Sequence, residues 1–297
     1  MFLLFISREA CSSLMIICVM QLLMPTLFIS HGGGPLPVMG AASQAEIARH
    51  FKDLFEKGGP VLGEGNDAIL LSSIKSILVV SAHWEEGPGV KVTSCVGRHS
   101  LLYDYYGFPE ETYKYVYPVH GDPSLSKRVV KLLSDAGIDC AEDSSRGLDH
   151  GVFIPLMLAL PKADIPVVSL SLNSNLDPEF HMQMGRALRP LRNEGVVIIG
   201  SGSSFHNMDA FFGRVDAGPM SSHFDAFLNQ ACTESGERWN MLSDWENAPY
   251  ARQAHPREEH LLPLMVVAGA ASGEDGKRIF NGKMMHASLS SFMFGKL

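Results

Sequence analysis

Cysteine is sparse and unpatterned in this chain of 297 residues: there are five, Cys11, Cys18, Cys95, Cys140 and Cys232, and no two sit in a CxxC spacing. An odd, scattered set argues against a disulfide framework and against a cysteine-rich zinc site, and suits a reducing, cytoplasmic compartment. Charge is also modest, at 19% of residues, with a formal net charge of −8 and no long basic run. A nucleic-acid-binding face is therefore not expected. Internal repeats and low-complexity linkers are missing as well. No apolar run is long enough to span a bilayer comfortably: the strongest, Leu14 to Met24, covers eleven residues, about half of what a membrane helix needs. It has no basic segment before it and no clean small-residue cleavage site after it, as a secretory signal would. Residues 1–23 are read as an apolar extension or a start placed too early, with Met24 as an alternative first residue and 24–297 as one catalytic domain. The C-terminal Gly-Lys-Leu only weakly resembles a peroxisomal address.

What remains is 46% hydrophobic, enough for a sizeable core. Apolar runs and helical patterns alternate. Thr26 to Ser30, Ser76 to Val80, Ile165 to Leu172 and Gly195 to Gly200 are apolar throughout, as strands buried on both faces are. Between them lie helical spacings: Glu46 to Lys57, a segment opened by Asp122-Pro123, another opened by Asp177-Pro178, and a last apolar helix after His260 ending near Ala271. A polar, aromatic stretch runs from His206 to about Tyr250. The pattern implies an α/β domain with helices on both faces of a sheet.

The twelve histidines are the distinctive feature. Three strands share one ending, an apolar run, then small residues, then a histidine: His31, His83 and His206. If these strands are parallel, the three converge on one edge of the sheet, where open α/β sheets bind ligands. Neutral imidazole suits iron, zinc and copper, so a shared metal site is expected.

With these residues aligned, the sequence resembles the class III extradiol ring-cleavage dioxygenases, in their DOPA-dioxygenase-like branch. The resemblance rests on FISHGGGPLPVM at 28–39, VVSAHWEE at 79–86, YDYYGFPEETYKYVYP at 103–118, GLDHGVFIPLMLALPKADIPVVSLSLN at 147–173, GRALRPLRNEGVVIIGSGSSFHN at 185–207 and AHPREEHLLPLMVVAGAA at 254–271. It implies a three-layer α/β fold with a central mixed, mostly parallel sheet. It also implies metal ligands at His31, His83 and His260, with His206 a fourth ligand or an acid/base and His150 a catalytic acid/base. The expected metal is Fe(II), with zinc possible. The expected substrates are O₂ and a catechol such as DOPA or a related phenolic. The sequence departs from the pattern in three places. Related enzymes hold iron with two histidines and one glutamate, whereas the last position here is His260 with Glu259 beside it. The first motif reads His-Gly-Gly-Gly-Pro where many members have His-Gly-Ser-Pro. The His31–His83 segment is long, with extra glycine-rich sequence near Gly58 to Asn66.

Several further residues are open to two readings. The tyrosines at 103, 105, 106, 113, 115 and 117 form either an aromatic lid or a packing cluster. Arg146, Arg98 and His255 are candidates for a substrate carboxylate, and His286 for the pocket border. Trp84 is expected in the core and Asp149 in a turn. Two other functions stay open: a zinc hydrolase using Glu258 or Glu259 as base, and a non-catalytic relative. The intact histidines weigh against the second, because a buried polar cluster is costly to retain.

Overall fold

The computed structural model describes residues 23–63 and 71–295. The N-terminal apolar run before Leu23, the glycine-rich residues beyond Gly63 and the last two residues lie outside the described part. Eight strands form one sheet: β1 (Thr26–Ser30), β2 (Ser76–Glu86), β3 (Val90–Thr93), β4 (Cys140–Asp143), β5 (Val167–Asn173), β6 (Val196–Gly202), β7 (Gly276–Met284) and β8 (Ala287–Phe294). Their order is β4-β3-β5-β2-β6-β1-β8-β7. The middle block, β5-β2-β6-β1, is parallel. β3 and β4 run parallel to each other but antiparallel to that block, and β8 runs antiparallel to both β1 and β7. The sheet is thus mixed around a parallel centre, as expected.

The helices are α1 (Leu36–Met39), α2 (Ala45–Leu54), α3 (Pro123–Asp135), α4 (His150–Ala159), α5 (Pro178–Leu188), α6 (Met208–Phe211), α7 (Ala217–Thr233), α8 (Arg238–Ser243), α9 (Ala251–Ala254) and α10 (Leu262–Ala270). Two begin as the sequence predicts. Asp122 accepts from the backbone N–H groups of Ser124 and Leu125, and Asp177 from that of Glu179, each with proline at the first helical position, satisfying donors that a helix start leaves free.

Successive residues of β6 identify the layers, because side chains alternate across a strand. Ser201 donates to the carbonyl of Gly151 in α4. Gly200 and Gly202 face the other way, where a Cβ would lie 2.3 Å from the Pro263 carbonyl oxygen and 2.1 Å from that of His260. Helices α4 and α10 therefore cover opposite faces. Only glycine at 200 and 202 lets the start of α10 lie directly against the sheet, and the Ser203 N–H donates to the His260 carbonyl there (2.9 Å).

Four features differ from the sequence expectation. Strand β2 continues past Val80 to Glu86, with a register irregularity between Val80 and Glu85, so His83 lies inside a strand. Helix α4 has no apolar stripe because nearly all of it is buried. The stretch to Tyr250 contains the long α7. The C-terminal β7–β8 hairpin, absent from the expectation, turns through Met285 and His286, both left-handed at φ 47° and 73°, as a two-residue hairpin turn requires. Among the described residues, no helix is long and apolar enough to cross a membrane, and Cys95, Cys140 and Cys232 are free thiols.

Several histidines are structural. His50 stacks on Phe280 at 4.7 Å. His181 is wholly buried: its Nδ1–H donates to the Asp177 carbonyl (2.6 Å) and its Nε2 accepts from the Asn173 N–H (3.1 Å). His255 packs between Phe224 and Trp245, away from any substrate-binding role. Burial pushes His50 and His181 down to about 4 and His255 to about 3. In the unfolded chain these groups take a proton near pH 6.5, while the folded state resists it until about pH 4 or below. Stability should therefore be full above pH 6.5 and fall as pH drops toward 4, by up to about 3 kcal/mol for His181. Urea unfolding of metal-free protein between pH 7 and 4.5 checks this, and His181→Gln should flatten the slope; an unchanged midpoint over that range would contradict it. Gly202→Ala should lose roughly 1–3 kcal/mol by overpacking against the His260 backbone, measured by the same unfolding curves at pH 7.5.

Candidate active site

Five histidines from five chain segments meet at the carboxyl-terminal ends of β1, β2 and β6. His31 follows β1, its backbone N–H bonded to the Gly202 carbonyl (2.9 Å), so it extends the β1–β6 ladder by one step. His83 is aimed by the irregular end of β2, a common use of a bulge beside a site. The bend is held from behind: Arg146 donates to the His83 carbonyl (3.1 Å) and to Asp149 (3.2 Å), lies over Trp84 at 4.6 Å, and Asp149 also accepts from Ser81 (2.7 Å). His150 is the first residue of α4. His206 follows β6, its N–H bonded to the Ala254 carbonyl (2.9 Å), and His260 sits just before α10.

The decisive distance is 3.1 Å, between Nε2 of His31 and Nε2 of His83. The outer nitrogens are engaged. His31 Nδ1 is 3.1 Å from Ser201 Oγ, and that hydroxyl donates its proton to Gly151. His83 Nδ1 is 3.4 Å from Asp104 Oδ2. The Nδ1–H of His260 donates to Glu259 (2.8 Å), and His206 Nδ1 lies 3.4 Å from the same carboxylate oxygen. The rings of His206 and His260 stack at 3.5 Å and 12°. His150 donates to Asp104 from both its backbone N–H and its Nδ1–H, each at 2.9 Å. His83 and His150 have ring centroids 4.0 Å apart, and His31 and His83 lie 5.3 and 4.9 Å from His260.

Burial, followed by the neighbouring imidazoles, holds His31 and His260 well below the ordinary histidine value. Burial also takes His83 down to about 3, with Asp104 opposing. Burial alone would raise Asp104 and Glu259, but the hydrogen bonds and charge of His150 lower the first, and those of His206 and Arg257 the second. Nε2 of His31 and Nε2 of His83 face each other, with the Nδ1 atoms turned outward to Ser201 and Asp104. Two ring nitrogens 3.1 Å apart either share one proton or hold a cation between them. Ligands 2.0–2.1 Å from one metal ion would be spaced at about that distance. One nitrogen each of His31, His83 and His150 lie within 4.8 Å of one another, as do ligand atoms of His206, Glu259 and His260. The residues fit a divalent metal.

All five histidines line a cavity of about 500 Å³ together with Gly32 to Gly34, Ser203 and an apolar wall of Leu36, Phe108, Met208, Phe211, Phe212, Met284 and Met285. Of the tyrosines, Tyr105 and Tyr106 reach the cavity. Tyr103, Tyr105 and Tyr117 donate to the carbonyls of Tyr115, Thr112 and Leu160, so the cluster mainly packs its own loop. His286 itself does not line the cavity, whereas its neighbours Met284 and Met285 do. Arg98 is exposed and also outside it.

A family model described as the catalytic LigB subunit of aromatic ring-opening dioxygenase matches residues 25–293. The chain belongs to this family. It is 40% identical over 256 residues to 4,5-DOPA dioxygenase extradiol of Beta vulgaris, covering 85% of this chain and 88% of that one. It is 36% identical over 286 residues to dioxygenase tasH of Hapsidospora irregularis, covering 92% and 86%. A crystal structure of the uncharacterized Escherichia coli K12 protein JW3007 superimposes with a TM-score of 0.68 at 29% identity, over 92% of this chain and all of that one. This LigB-family protein is an aromatic ring-opening, extradiol dioxygenase, whose reaction takes a small aromatic molecule and O₂.

The five histidines singled out in the sequence are the ones that meet here, but Asp104 was not among them, because its segment stands out only for its tyrosines. Asp104 touches two of the five imidazoles. Asp104→Ala should lower metal affinity about 10- to 100-fold, the usual cost of losing such an outer partner, with Asp104→Asn losing less. Competition with a fluorescent chelator measures it; unchanged affinity in the alanine variant would remove Asp104 from the site.

Proposed function

We propose that this protein opens catechol rings outside the diol at one divalent metal held by His31, His83 and His260, with His150 and His206 handling protons. The observation that carries the proposal is the convergence of the His31 and His83 Nε2 atoms at 3.1 Å, beside a cavity large enough for an aromatic ring. A bound Fe(II) would supply the lowered phenol pKa and the electron path from catecholate to O₂ that ring opening needs. The three neutral imidazoles suit iron and also accept zinc.

The protein's own groups do the rest. His206, stacked on the His260 ring with its Nδ1 3.4 Å from Glu259, takes a proton from one phenol oxygen. His150, its Nδ1–H fixed on Asp104, accepts the second phenol proton at Nε2 and returns that same proton as the ring opens. Gly32 to Gly34 let the substrate approach the backbone closely, and the apolar wall excludes water. A hydrolytic reading is less well supported: Glu258 pairs with Arg252 (2.6 Å), Glu259 is engaged behind the histidines, and neither lines the cavity. The pairing of β1 with β8 supports one catalytic unit over 24–297, and the unpatterned cysteines support a cytoplasmic location.

Protein loaded anaerobically with Fe(II) should consume O₂ on mixing with a catechol panel and develop a new yellow absorbance. His83→Ala should lose both metal and activity. His150→Gln and His206→Gln should retain metal and lose about 10²- to 10⁴-fold in kcat; loss of metal in His206→Gln would make His206 a ligand instead. Absence of O₂ uptake with any catechol, at full iron loading, would overturn the proposal.

A further inference from the structure

Among the described residues, the lining of the cavity includes no lysine, arginine, aspartate or glutamate. Cations in the surrounding segments are committed elsewhere. Arg146 is held behind the wall by Asp149 and the His83 carbonyl. Arg257 forms a paired contact with Glu85, at 2.6 Å through each of two nitrogens. Arg214 is bonded to Asp209 (2.7 Å) and lies over the Phe212 ring at 5.4 Å, so this cation is held against the wall residue and does not line the cavity. Lys283 is exposed and does not line the cavity, whereas the next residue, Met284, is buried and does. What faces the cavity instead is aromatic rings and thioethers, and part of that surface is open: Phe212 is 64% exposed and Met208 48%. Large apolar side chains left bare at the mouth of a cavity mark a surface that a ligand covers.

Resting on the ring-opening proposal for the diol end, we infer that the substrate is a catechol carrying a neutral, apolar substituent, and that Phe108, Phe211, Phe212, Met284 and Met285 select it against catechols with a charged tail. The cavity, about 500 Å³, is several times the size of a bare dihydroxybenzene ring, so a substituent is needed to fill it. Each methylene buried against the wall should add about fourfold in affinity. A carboxylate or ammonium group in the same place would be desolvated without a partner. The DOPA named for the Beta vulgaris relative carries both charges. The thioethers adapt to the shape of a flexible tail more readily than branched side chains would.

The test is binding of 4-methylcatechol, 4-butylcatechol, 3-(3,4-dihydroxyphenyl)propionate and L-DOPA to the Zn(II)-loaded protein by calorimetry, where no turnover complicates the reading. 4-Butylcatechol should bind at least tenfold more tightly than the two charged catechols and more tightly than 4-methylcatechol. Met285→Lys should narrow the gap to the propionate at least fivefold. Equal or tighter binding of the charged catechols to the unsubstituted protein would overturn the inference. A preference that Met285→Lys leaves unchanged would overturn its assignment to this wall. O₂ uptake by the Fe(II)-loaded protein, measured in parallel, judges ring opening separately. Uptake with a charged preference sinks only the inference about the tail, whereas failure of uptake with every catechol sinks the ring-opening reading and leaves the affinity ratio to judge the wall.

Discussion

Two imidazole nitrogens 3.1 Å apart are the constraint around which the site is built. Their strands are not neighbours: β6 lies between β1 and β2, so His31 and His83 start about 10 Å apart at the usual strand spacing. Both must reach across β6, and β6 makes room with the run Gly200-Ser201-Gly202-Ser203. Ser201, on one face, binds the outer nitrogen of His31. Gly200 and Gly202, on the other, admit the start of α10 that carries His260. The irregularity in β2 supplies the remaining displacement. A regular β2 or a bulkier β6 would leave three histidines along a sheet edge rather than around one point.

Burying several imidazoles together is costly unless their nitrogens find partners. The structure answers with carboxylates that each serve two rings, Asp104 for His83 and His150, and Glu259 for His206 and His260. These acids fix which nitrogen carries the proton, and so which lone pairs face the cavity. The same acids couple the proposed metal ligands to the proposed proton carriers: a shift of Asp104 moves one of each.

How much of this was legible in the sequence follows from how each part is buried. Strands β1, β2, β5 and β6 are buried on both faces and read as plain apolar runs. The β7–β8 hairpin did not, because β7 is buried only at its two ends and carries Lys277, Arg278, Asn281 and Lys283 between them; the hairpin is held in the sheet by β8 pairing with β1, not by a pattern of its own. Helix α4 was hidden for the opposite reason, since burial on all sides erases the 3.6-residue period. His31, His83 and His206 were legible because each comes after an apolar strand run with small residues beside it, whereas His150 and His260 were legible only through the family resemblance. Asp104 was not, because it acts by reaching across from an irregular loop, and Arg146 gave no sign that it would brace the His83 backbone rather than face a ligand.

The departure at the last ligand position also acquires a physical sense. Related enzymes place a glutamate on the iron where this chain has His260. With three neutral imidazoles as the proposed ligands, no ligand atom carries negative charge. Yet Glu259 accepts the Nδ1–H of His260 at 2.8 Å, and Asp104 sits 3.4 Å from Nδ1 of His83; both acids are held below their usual pKa. The negative charge is thus moved one hydrogen bond outward rather than removed. An imidazole whose Nδ1–H is held by a carboxylate is a stronger donor than a free one, so the ligand set keeps part of a carboxylate's electron-donating character. It also leaves the inner face free of any charged oxygen that would compete with a catecholate.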